Sequence, residues 1–191
     1  SPAHAARAVA VALAFALVLG SCSLFADDGP RVLVVGDSVT VLSKEELRDQ
    51  LGWAGTVDVR AQVRLRTDQL LDMAKEGADE DPDIGIFLPG YNDLLQRRAN
   101  TKALDQMIDV AAGIPCSIWL LIPEDGGYPL DQVDTWNRRV AELAKGHPNI
   151  HVVDGWKVLV EQTPAFTYIS DLDAVHPNQP GRTALAKVMA G

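Results

Sequence analysis

Apolar positions along the chain fall into two kinds of run. Arg31 to Val35 (RVLVV), Thr56 to Val59, Ile84 to Leu88 (IGIFL), Ser117 to Ile122 (SIWLLI) and Ile150 to Val153 are short and nearly continuous, the length of strands buried on both faces. Between them lie segments whose apolar residues recur at helical spacing, which predicts helices over about Ser43 to Leu51, Thr67 to Glu76, Thr101 to Ala112, Leu130 to Lys145 and Pro180 to Met189. The first opens on Ser-Lys-Glu-Glu, a capping serine followed by acids near the positive helix end. The third carries Leu104, Met107, Ile108 and Ala111 on one stripe; the fourth carries Val133, Trp136, Val140, Leu143 and Ala144 and stops at Gly146-His147-Pro148. Strands and amphipathic helices in alternation are the pattern of a parallel sheet covered on both faces. The expected fold is therefore an α/β protein, a three-layer α/β/α sandwich around a five-stranded parallel sheet.

One apolar run does not fit that alternation. Ala8 to Leu19 (AVAVALAFALVL) is preceded by a single arginine, Arg7, and followed by Gly20-Ser21-Cys22-Ser23, the layout of a secretory signal. It is shorter than the ~18 residues of a membrane-spanning helix, and an uncleaved anchor is the alternative. Leu19-Gly20-Ser21-Cys22 resembles a bacterial lipobox, in which the leader is cut before the cysteine and that cysteine is lipidated. The expected organisation is a signal peptide over 1–21, a short tether over 22–30 and one catalytic-size domain over 31–191, exported and held at the membrane through Cys22. The other of the two cysteines, Cys116, lies in an apolar strand and reads as a buried, inert thiol, so no disulfide framework is expected.

Composition narrows the function. With 191 residues, 47% of them hydrophobic and 23% charged, the chain can bury a core without staples. Only one of its 17 basic residues and none of its 26 acidic ones precede Asp27, so the chain's net charge of −9 is +1 in the leader and −10 in the rest. That acidity excludes a general nucleic-acid binder, which needs clustered Lys and Arg. Asp79-Glu80-Asp81-Pro82-Asp83 reads as a solvated turn, because it lacks the spaced ligands and glycine of a calcium loop, and no metal site is expected.

Candidate chemistry collects at strand ends. RVLVV runs into Gly36-Asp37-Ser38, which puts a serine at the carboxyl end of the first strand, where open α/β sheets bind ligands. A serine hydroxyl needs a base, and of the four histidines His176 is the one with a carboxylate, Asp173, placed three residues ahead to orient it. IGIFL ends in Pro89-Gly90-Tyr91-Asn92-Asp93, where the Asn92 side chain can offer an uncharged donor to a developing oxyanion. Asp171 is the rival to Asp173 as orienting acid.

These blocks resemble the SGNH hydrolases, also called GDSL esterases and lipases, over essentially everything after the leader, and the lipobox-bearing members secreted by actinobacteria in particular. The resemblance implies a flavodoxin-like sheet, Ser38 as nucleophile with Asp37 and Gly90 as supporting residues, Asp173 and His176 completing the triad, and an oxyanion hole from the Ser38 N–H, the Asn92 side chain and a main-chain N–H after the second strand. The family has a glycine at that last place, whereas this chain reads Val57-Asp58-Val59-Arg60-Ala61-Gln62-Val63-Arg64. Register places the donor at Gln62, or at Ala61 or Arg64 after a small shift.

The resemblance implies a secreted, envelope-associated serine esterase acting on short or glycan-borne acyl esters. Its partners would be an ester-bearing small molecule or an envelope glycan or lipid, with no cofactor, no nucleic acid and a monomeric state. An O-acyltransferase acting on envelope glycans and a non-catalytic glycan- or lipid-binding lipoprotein of the same fold are the alternatives. Tyr91, Tyr128 and Trp156 read as exposed aromatics able to line a cleft, while Trp119 and Trp136 fit the core.

Overall fold

The computed structural model describes residues 29–190 except 125, 164, 166, 171 and 172. The leader, Cys22, most of the tether and Asp171 lie outside the described residues. Five parallel strands, β1 (Arg31–Gly36), β2 (Thr56–Ala61), β3 (Ile84–Leu88), β4 (Cys116–Leu120) and β5 (Ile150–Val153), form one sheet in the order β2-β1-β3-β4-β5. Eight helices accompany them among the described residues: α1 (Ser38–Leu42), α2 (Lys44–Gln50), α3 (Thr67–Ala78), α4 (Tyr91–Leu95), α5 (Thr101–Ala112), α6 (Leu130–Ala144), α7 (Gly155–Gln162) and α8 (Gln179–Ala190). A two-stranded antiparallel hairpin, β6 (Tyr168–Ser170) and β7 (Asp173–Pro177), stands apart from the main sheet.

Burial explains the apolar runs. β3 and β4 are buried at every position and β1 at all but its first, because α3, α5 and α6 cover one face while α2, α7 and α8 pack on the other. The edge strand β2 is only partly covered and carries charge, with Arg60 donating to Asp58 and Glu80. Cys116 is buried at the start of β4 and is disulfide-bonded, which corrects the reading of it as a lone thiol. Tyr91, Tyr128 and Trp156 are 0, 7 and 2% exposed, so these aromatics belong to the core rather than to the surface. Trp156 can be buried because its indole N–H donates to the Tyr91 hydroxyl at 2.7 Å, removing the penalty of an unpaired polar group.

The strand order reverses beside β1, whose neighbours are β2 and β3. Crossovers leave the sheet in opposite directions at that point and open a crevice at the carboxyl ends of β1 and β3. The segments that follow those two strands carry Ser38 and Asn92. Among the described residues no helix is long and apolar enough to cross a membrane.

Candidate active site

Ser38 is the first residue of α1, directly after β1 and its Gly36-Asp37 turn. Gly36 is needed there for space: a Cβ would fall 1.9 Å from the Thr40 Oγ1 one turn into the helix. Asp37 caps α1, its carboxylate accepting from the Val39 N–H at 3.2 Å. As the opening residue of a helix, Ser38 has a backbone N–H with no partner inside the helix, a donor left for something else.

The second strand end is shaped by a different glycine. Gly90 precedes α4 with φ +115, and a Cβ on it would lie 2.7 Å from the Trp136 ring, so both conformation and space select glycine. The chain then turns so that Asn92, 6% exposed, donates through Nδ2 to Asp37 at 3.1 Å. An amide carries two N–H hydrogens, and this bond uses one of them. Asp93 points the other way, accepting from the Thr67 N–H at 2.8 Å and the Thr67 hydroxyl at 2.9 Å. It thereby ties the start of α4 to the start of α3. Burial pushes the carboxyl of Asp37 up to about 7 against the lowering effect of its Val39 and Asn92 bonds, and burial also raises that of Asp93 despite the bonds from Thr67.

The hairpin brings in the histidine. His176 Nε2 lies 2.7 Å from Ser38 Oγ, and His176 Nδ1 lies 2.7 Å from Asp173 Oδ2. Asp173 Oδ1 also accepts from the backbone N–H groups of Val175 and His176 at 3.3 and 3.4 Å. Burial alone would raise the Asp173 carboxyl, but its bond to His176, the charge there and the two N–H donors outweigh burial and hold it below the usual carboxylate value. The side chains of His176 and Asp173 are 20 and 36% exposed. The chain Asp173–His176–Ser38 can hold imidazole in one tautomer and take a proton from the hydroxyl.

The stretch after β2 departs from the sequence expectation. β2 pairs with β1 as far as Ala61 opposite Gly36, and the Gln62 N–H continues that ladder by donating to the Gly36 carbonyl at 3.3 Å. Gln62 is therefore not a free donor, and its placement in the oxyanion hole is corrected. Two residues on, Arg64 has φ +66, the left-handed conformation that a glycine adopts without cost. Among the described residues the Arg64 N–H makes no hydrogen bond, while its carbonyl accepts from Gln96 Nε2 at 3.0 Å. A small shift from Gln62 thus reaches the residue whose backbone matches a glycine.

Several supporting contacts carry no signal in the sequence, among them the Asp93–Thr67 clamp and the pair of bonds between Asn137 and the backbone of Ile122 at 3.0 and 2.8 Å. A cavity of about 670 Å³ at the ends of β4 and β5, lined by Ile122, Asn137 and Trp156 among others, includes neither Ser38 nor His176. The hydrogen-bonded serine and histidine lie outside that hollow. Among the described residues no group of three or more His, Cys, Asp or Glu side chains is placed to hold a metal ion.

Residues 34–184 match the GDSL-like lipase/acylhydrolase family. No curated protein sequence matches the chain. Among solved structures, the fold is similar to the lipase/acylhydrolase from Enterococcus faecalis, with TM-score 0.69 and 18% identity over 84% of this chain and 93% of that one. It is similar also to a catalytic mutant of an acetylxylan esterase from Geobacillus stearothermophilus, with TM-score 0.65 and 16% identity over 85% and 94% of the two chains. A third likeness is to the C-terminal catalytic domain of peptidoglycan O-acetyltransferase A from Streptococcus pneumoniae, with TM-score 0.63 and 22% identity over 85% and 88%.

Proposed function

Because the chain belongs to the GDSL-like lipase/acylhydrolase family, and so to the serine ester hydrolases, we propose that its reaction runs through Ser38, His176 and Asp173 on short or glycan-borne acyl esters. The observation that carries this reading is the pair of 2.7 Å contacts joining the three side chains. Ser38 Oγ attacks the ester carbonyl carbon and gives its proton to His176 Nε2. Asp173 holds the imidazole by Nδ1 and stabilises the cation that forms. The tetrahedral oxyanion is met by the Ser38 N–H, the Asn92 Nδ2–H not used by Asp37, and the Arg64 N–H in place of a glycine donor. When the carbon–oxygen bond to the alcohol breaks, His176 returns the proton to the leaving alkoxide. Water then attacks the acyl-serine with His176 as base, and the acid leaves. Asp37 and Gly90 act as supports: one fixes the Asn92 amide, the other lets α4 begin where it does.

Ser38→Ala is expected to abolish hydrolysis of short 4-nitrophenyl esters and labelling by a fluorophosphonate probe with an unchanged circular dichroism spectrum. Undiminished turnover by that variant would refute the assignment, whereas a wild type that neither hydrolyses these esters nor takes up the probe is the result expected of a chain that only binds its ligand.

A second reading is favoured by the exposure of His176, which leaves room at Nε2 for an alcohol as well as for water. In it the acyl group passes to a sugar hydroxyl, as the name of the pneumococcal peptidoglycan O-acetyltransferase says of that protein. Partition of acetate between water and an added glycan oligomer separates the two readings.

We also propose that the chain is exported and lipidated at Cys22. The intact mass of membrane-extracted protein decides: an added diacylglycerol supports the anchor, and the loss of two hydrogens without lipid overturns it.

A further inference from the structure

The rim beside the oxyanion donors is basic, in a chain whose net charge is −9. Arg64 and Arg66 follow β2, and Arg97 and Arg98 follow α4. The two segments are bound together through one side chain: Gln96 donates to the Arg64 carbonyl at 3.0 Å and accepts from Arg66 Nη1 at 2.9 Å. Gln96 in turn ends the helix turn begun by Asn92, its N–H donating to the Asn92 carbonyl at 3.0 Å. The rim is thus one helical turn from the Asn92 amide and two residues from the Gln62 bond to Gly36.

Arg66 is partly neutralised by Asp68 at 3.2 Å, whereas Arg64, Arg97 and Arg98 are exposed and form no ion pair among the described residues. Of the three described residues other than glycine with positive φ, two are rim arginines, Arg64 at +66 and Arg97 at +51. Each holds a conformation that glycine adopts without strain and an L-residue does not. Val63 and Leu95, 49 and 45% exposed, flank the charges with apolar surface. Strained cations kept beside a reaction centre point to a charge that they meet there.

We infer that this rim is a subsite for a negatively charged group, carboxylate or phosphate, carried on the alcohol part of the ester. The inference rests on the esterase reading, since a short acyl group leaves the alcohol part to extend over the rim. Guanidinium groups suit either anion through paired N–H donors, and they reverse locally the repulsion that an acidic protein exerts on an anionic substrate.

The test compares kcat/KM for three acetyl esters with the same ring: 3-acetoxybenzoate, 3-acetoxyphenyl phosphate and the neutral 3-acetoxybenzamide. The wild type is expected to favour at least one anionic ester by about five- to tenfold, as one or two partly screened charge contacts would give. The favoured ester tells carboxylate from phosphate. That preference should fall toward unity in an Arg64→Gln, Arg97→Gln double variant, and in the wild type at high salt. Only the ratio is read, so a general loss of rate in the variant does not enter. Turnover of the neutral ester with a wild-type ratio near unity, or with the same ratio in the double variant, overturns the charged subsite and leaves the esterase standing. Absence of turnover for all three overturns the esterase reading, and the subsite with it.

Discussion

The two halves of the site are built on different foundations. Ser38 and Asn92 begin helices that follow the buried central strands β1 and β3, and the carboxylate between them, Asp37, is fully buried and takes bonds from both sides. Asp173 and His176 stand on a short hairpin outside the main sheet, half-exposed, joined to the body through the Ser38 contact and bonds such as Gly127 N–H to the Ala174 carbonyl at 3.0 Å. The difference follows from what each half does. Donors aimed at a developing oxyanion are effective only if they need not reorganise, which favours placement on the core. A base must exchange protons with each water or alcohol in turn, and it needs the right tautomer more than it needs depth.

Removing the orienting acid should separate the halves most sharply. Asp173→Asn is expected to lower kcat by about 10³–10⁴, because the tautomer is lost while the core is untouched, and to lower the melting temperature modestly at neutral pH by a gap that closes as pH falls. The lowered Asp173 value means that its ionic contribution to stability is complete above the ordinary carboxylate value of 3.8 and is lost only as pH falls through the folded value below it. A gap between wild-type and Asp173→Asn melting temperatures that opens as pH falls would contradict this.

On the core side, Asn92→Ala should cost about 10²–10³ in kcat with a smaller change in KM. It should also cost about 1–3 kcal/mol of stability, since the buried Asp37 loses a donor. An activity loss with no stability loss would mean that the Asn92–Asp37 bond is dispensable to the fold.

Asp37→Asn tests burial itself. The Asp37 value is raised to about 7, so between 3.8 and about 7 the folded protein keeps a proton that the unfolded chain releases. Its contribution to stability therefore declines as pH rises through that window and is level above it. The variant should lack that decline. Parallel stability curves for variant and wild type would place the titration elsewhere. The smallest effect is expected at Arg64→Gly: relief of the left-handed backbone should raise stability by about 1 kcal/mol or less, net of the freer unfolded chain. A lower melting temperature would show that the Arg64 side chain stabilises the rim.

The same division governs what the sequence could reveal. All five main strands and the helices α2, α3, α5, α6 and α8 are readable, because burial on two faces or on one stripe writes itself into consecutive residues. The helices α1 and α4 have five residues each, too few for periodicity to register; they form because tertiary contacts satisfy them, including the Asp37 cap of α1. α7 carries a visible cap, Asp154 accepting from the Lys157 N–H at 3.2 Å, yet Asp-Gly reads first as a turn. The hairpin around His176 reads as loop for a related reason, since its strands lack an apolar run. Ser38, Asn92, Asp173 and His176 stand out as chemistry at strand ends. The exchange of Gln62 for Arg64 could not, because it depends on how far the β1–β2 ladder extends and which residue then turns left-handed. The aromatics went astray because a tyrosine hydroxyl and an indole that bond to each other can both be buried, and nothing in sequence spacing announces that the two will meet.

The bond between His176 and Ser38 joins residues 138 positions apart. During synthesis the nucleophile and the oxyanion donors emerge early and can settle on the sheet, but the base arrives only when the last hairpin has left the ribosome. A chain stopped before that point lacks His176, so on the proposed mechanism Ser38 has no proton acceptor until the hairpin is in place. Turnover is then a readout of a long-range closure, and recovery of activity on refolding should trail the recovery of helical signal by the time that closure takes.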